Sequence, residues 1–68
     1  MSPQEVEAFV RANRGKVARL TWADGVVQVV RIDIADDEGF LHSGPNGDAP
    51  RHFWTRFRDV DSARIEDA

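Results

Sequence analysis

The sequence predicts a mainly β domain: a short N-terminal α-helix, then five short strands that close into a small, partly open barrel. Three observations carry this. The hydrophobic period changes from helical to two after Gly15. Strand-like runs then alternate with turn chemistry at Asp24-Gly25, at the acidic Asp36-Asp37-Glu38-Gly39, in the Gly/Pro-rich stretch 43–51 and at 58–62. Finally, five short strands with one apolar face must curl onto themselves, or pair with something, to cover their edges.

The helix is expected over about residues 3–13. Ser2 can cap the free amides, Pro3 suits the first helical position, and Glu5 completes a capping box. Val6, Phe9 and Val10 form one apolar stripe. Glu5 and Glu7 near the start, with Arg11 and Arg14 near the end, match the helix dipole, and Gly15 is the expected C-cap. So short a helix must dock its stripe on the rest of the domain.

The strands are expected at about 16–22, 26–35, 39–43, 52–58 and 62–67. In the first, Ala18, Leu20 and Trp22 share one face while Val17, Arg19 and Thr21 share the other. Asp24-Gly25 between two strand-like runs is a hairpin signal. The second strand has an inner set of Val30, Ile32 and Ile34, yet Val27 and Val29 make its start apolar on the outer face too, as in a bent strand of a small barrel. The fourth strand, HFWTRFR, splits its aromatics. Phe53, Thr55 and Phe57 fall on one face, and His52, Trp54, Arg56 and Arg58 on the other. The expected core is Trp22, Val30, Ile32, Phe40, Phe53, Phe57 and Ile65, capped at one end by the helix stripe.

The bulk numbers narrow the function classes. A chain of 68 residues reads as one domain with a small core and marginal stability. With no cysteine, disulfides and thiolate metal sites are excluded, leaving packing or self-association as sources of stability. Nine basic residues against 12 acidic ones give a net charge of −3, which argues against general electrostatic binding to nucleic acid. Neither a membrane-spanning apolar run nor a secretory leader is legible, so a cytoplasmic, soluble domain is expected.

The element order (helix, hairpin with a bent second strand, variable loop, strand, tight turn, final strand) resembles the Sm-like members of the SH3-like small barrels. FWTRFRDVDSARIED is similar to the closing strand–turn–strand of many bacterial small barrels, including the C-terminal domain of ribosome maturation factors. Sm proteins carry an Asp with a nearby Asn in their first motif and an Ile/Leu-Arg-Gly in their second. Here Asp33 or Asp36 stands without the Asn, and Phe57-Arg58-Asp59 occupies the place of the Arg-Gly step. The resemblance therefore implies the fold and not the family's ring-shaped RNA binding.

No catalytic or metal-binding constellation is legible, and the expectation is a non-enzymatic chain with no cofactor. His42 and His52 read as surface histidines flanking a loop, because their spacing matches no ligand motif. The acidic run at 36–38 reads as a solvated turn, since it lacks the alternating oxygen ligands of a calcium loop. GPNGDAP has no P-loop lysine and precedes no helix. The remaining candidate is an interface of Trp54, Arg56, His52, Val27 and Val29, whose partner would be another protein or a second copy of the chain. Trp54 has two possible destinations: buried beneath the helix or the second strand with Arg56 over its ring, or exposed as an interface anchor. Arg11, Arg14, Lys16 and Arg19 form a basic cluster, read either as a solvated face or as a nucleic-acid patch.

Overall fold

The computed structural model describes residues 1–45 and 53–66. Its elements run α1 (Pro3–Ala12), β1 (Val17–Trp22), β2 (Val27–Ala35), β3 (Gly39–Ser43), β4 (Phe53–Arg56), a 3₁₀ turn (Phe57–Asp59) and β5 (Val60–Ile65). The five strands form one antiparallel sheet in the order β4-β3-β2-β1-β5. The protein is thus mainly β, one sheet with a short helix, in keeping with a small-barrel-like fold. Among the described residues no helix is long and apolar enough to cross a membrane.

Local chemistry explains the element ends. Ser2 Oγ accepts from the Glu5 amide at 3.2 Å, and Glu5 Oε1 accepts from the Ser2 amide at 2.9 Å, so the capping box forms as the sequence predicts. The helix stops at Ala12, because Asn13 turns its side-chain amide back to the Phe9 carbonyl at 2.8 Å. Gly15, two residues later, takes φ +85° and leads into β1. In the β1–β2 turn, Gly25 adopts φ +90° and Asp24 Oδ1 accepts from the Val26 amide at 3.0 Å.

The core comprises Val6 and Val10 of α1 with Ala18, Leu20, Val30, Ile32, Phe40, Phe57 and Val60. α1 packs against β2, β5 and the 3₁₀ turn, closing one end of the curled sheet. The alternation predicted for β1 holds, with Ala18 and Leu20 buried.

Several expectations need correction. Of the expected core, Trp22 and Ile65 are only half-buried and Phe53 is 57% exposed. Phe53 does face inward, opposite His42, but it lies on an edge strand that no further strand covers among the described residues. Ile34, expected inside, is 55% exposed, because the β2–β3 register shifts between Ile32 and Ala35 and breaks the alternation. The fourth strand ends at Arg56 rather than at 58. The turn falls at 57–59 instead of 58–62, and the last strand starts at Val60 instead of 62. Parts of the expected loop 43–51 and of the expected strands 52–58 and 62–67 lie outside the described residues, His52 among them.

Candidate interaction surface

β4 pairs with β3 in the register Gly39↔Arg56, Phe40↔Thr55, Leu41↔Trp54 and His42↔Phe53. Side chains alternate, so Phe53 and Thr55 face inward while Trp54 and Arg56 face outward. Gly39 makes this approach possible: a Cβ there would run into the Thr55 carbonyl oxygen, and would lie 2.9 Å from Arg56 Cα. On its far side β4 meets no strand among the described residues.

The structure decides the position of Trp54. It is 41% exposed on the outer face of β4, so burial beneath the helix is excluded. Its indole N–H donates to Asp36 Oδ2 at 3.1 Å, and Arg56 Cζ lies 5.5 Å from the ring centroid. Asp36 is itself held in place. Its Oδ1 accepts from the Glu38 and Gly39 amides, each at 2.8 Å, and its carbonyl accepts from Arg11 Nη2 at 3.1 Å. The two backbone bonds, then the Trp54 bond and the Arg11 charge, hold the Asp36 carboxyl below its ordinary range. The acidic turn therefore does more than face solvent, since it fixes the indole of an exposed tryptophan.

His42 is the residue that sequence reasoning misplaced. It is 5% exposed, not on the surface. Its Nε2 lies 2.8 Å from Thr55 Oγ1, and its ring contacts Phe40, Trp22 and Phe53 at centroid distances of 5.4, 5.6 and 6.1 Å. The inward side chains of β4 thus rest on one imidazole. The signal was present in the sequence, because His42 shares strand parity with Phe40.

Burial pushes the His42 imidazole below its ordinary value of 6.5, with the Asp33 carboxylate pulling the other way. The unfolded chain then binds more protons than the folded one as pH falls through about 6.5. Stability from this site is complete above that value and declines below it. Thermal melts should therefore show the melting temperature falling from pH 7 to pH 5.5, with a flatter slope in His42→Gln. The carboxylates whose values are lowered, Glu5, Asp36 and Glu66, titrate below this window.

Val27 and Val29 sit on the outer face of β2, opposite Thr21 and Arg19. Val27 is 51% exposed and Val29 is half-buried. β2 extends beyond the end of β3, which leaves a cleft of about 460 Å³ bordered by Trp22, Val29, Val30, His42, Phe53 and Trp54. The structure thus brings Val29 and Trp54 to one cleft, while Val27 does not border it.

The basic cluster is divided. Arg11 Nε pairs with Glu7 at 2.9 Å. Arg19 makes a two-point bond to Glu66 at 2.8 and 2.9 Å, which raises the pKa of the guanidinium and lowers that of the carboxyl. Arg14 borders one cavity with Gly15, Ile34 and Leu41 and shares a second with Arg11, and Arg19 borders neither. Lys16 passes the chain from the helix end into β1 through its carbonyl, which accepts from the Ile32 amide at 3.0 Å.

In fold and site, this is a mainly β chain with an aromatic-flanked edge strand. Compared with known proteins, it matches no family model, no curated protein and no solved structure.

Proposed function

We propose that the chain is a non-enzymatic interaction module of the SH3-like, Sm-like small-barrel type, which binds another protein or a second copy of itself through β4. The observation that carries this is an edge strand with large exposed aromatics on both of its faces, Phe53 inward and Trp54 outward. Solitary edge strands are commonly shielded by Lys, Pro or bulges; FWTR has no Lys, no Pro and no register shift against β3, so its shielding is limited to its shortness and the charge of Arg56. An aromatic ring with an arginine over it is the composition of an interface anchor. The strand order and the tight turn joining β4 to β5 support the small-barrel type. The cysteine-free composition fits a cytoplasmic setting.

Trp54→Ala tests the reading. Because the side chain is exposed, the loss of stability should be about 1 kcal/mol or less. Circular dichroism should stay unchanged while association, followed by light scattering, is lost. Global unfolding of the variant would show that Trp54 serves the fold instead.

A second reading, binding of RNA or DNA, has one favouring observation. Arg19 and Arg64 stand directly opposite each other on β1 and β5, two guanidiniums sharing the one carboxylate of Glu66. Under that reading, affinity for a fluorescent oligonucleotide drops steeply between low and moderate salt, whereas association through β4 hardly changes.

A further inference from the structure

We infer that the outward edge of β4 pairs antiparallel with the β4 edge of a second copy, about a two-fold axis at Thr55. This inference rests on the reading that β4 is the interaction surface, and it names the partner.

The direction of the backbone groups comes first. The Phe57 amide donates to the Glu38 carbonyl at 3.0 Å. Alternation then turns the backbone groups of Phe53 and Thr55 toward β3, and those of Trp54 and Arg56 outward from the sheet edge. In an antiparallel pair centred on Thr55, Trp54 of each copy stands opposite Arg56 of the other. In each pair the Arg56 N–H can donate to the Trp54 carbonyl of the other copy, while the Arg56 carbonyl, at the N-cap of the 3₁₀ turn, also accepts the first bond of that turn.

The side chains fit the same axis. Residues 53–57 read Phe-Trp-Thr-Arg-Phe, with aromatics at both ends and Thr at the centre. Reversing the segment on itself places a guanidinium beside each indole and Thr against Thr, both favourable cross-strand pairs. Within one copy Arg56 already lies over the Trp54 ring, and the Asp36 bond holds that ring in place. Pairing β4 with itself joins two five-stranded sheets into one and gives a closed, two-fold dimer.

Two substitutions test this. Arg56 has φ −73°, which proline adopts without strain, and the Arg56 amide is one that the monomer does not use in the β3 ladder. Arg56→Pro should therefore keep the wild-type circular dichroism and melting behaviour but sediment as a monomer. Arg56→Ala, which retains the amide, should still dimerise, only more weakly. Thr55 would face its counterpart across the axis at a Cα separation of ~4.5 Å, within disulfide range. As the chain has no cysteine, Thr55→Cys carries a single thiol and should form a covalent dimer under mild oxidation, several-fold faster than Ser62→Cys on β5. A dimer that persists in folded Arg56→Pro, or cross-linking through Ser62→Cys and not Thr55→Cys, overturns the β4–β4 pairing while leaving self-association standing. A wild-type protein that stays monomeric at high concentration also overturns it; the partner of β4 is then a different protein, and the Trp54→Ala comparison alone decides the broader reading.

Discussion

Gly39→Ala should unfold or severely destabilise the protein, although it adds a single methyl group. The reason is space, not backbone conformation. The added Cβ would collide with the Thr55 carbonyl oxygen and crowd the Thr55 carbonyl carbon and Arg56 Cα, both at 2.9 Å. All three atoms belong to the β4 backbone, so no side chain can swing aside. Either β4 leaves β3 or the strand pair distorts, at a cost of about 3 kcal/mol. In a domain of this size that corresponds to a fall in melting temperature of roughly 12–24 °C. Gly25 is the control. An added Cβ there meets nothing within 4 Å, and only its φ of +90° opposes substitution. Gly25→Ala should cost ~1–2 kcal/mol. Thermal denaturation of the two variants side by side gives the comparison, and a Gly39→Ala protein melting within a few degrees of wild type would refute the close β3–β4 contact.

Phe40→Ala should be of similar or greater severity. Phe40 is fully buried on β3, between β2 and the edge strand β4. Its ring stacks on Phe57 of the 3₁₀ turn at 5.9 Å and contacts His42 at 5.4 Å. It therefore joins the helix-capped end of the core to the cleft end. Truncating a buried Phe to Ala costs ~3–5 kcal/mol, against a total of only ~5–15 kcal/mol for domains in general, and toward the low end for small ones. Urea titration should show the transition shifted to a much lower midpoint or lost altogether. A midpoint close to wild type would mean that the core does not depend on this ring.

Much of the fold was legible because its signals are local. The capping box needs only Ser2 and Glu5, the hairpin only Asp24-Gly25, and the inner face of β1 only its alternation. What went unread depended on distant partners. Ile34 leaves the core because of a register shift against β3, which the alternation of β2 itself cannot reveal. Phe53 has the right parity for the core, but its exposure follows from β4 being an edge, a property of the whole strand order. The basic residues cluster in sequence, yet Arg19 is matched by Glu66, 47 positions away. His42 is a different case. Its parity with Phe40 points inward, whereas its place beside the loop at 43–51 suggests a surface position. For Trp54, parity gave the outer face, and what remained open was where the helix packs. Docking of Val6 and Val10 against β2, β5 and the 3₁₀ turn leaves the tryptophan uncovered.

The central claim is that copies of this protein associate with one another through the Trp54-bearing strand. Sedimentation equilibrium over a wide concentration range, on the wild type and on Trp54→Ala, tests it most directly. Self-association through β4 predicts a wild-type mass that climbs from monomer toward dimer as concentration rises, with the variant fixed at the monomer mass. Two superimposable curves, both monomeric or both associating, would contradict it.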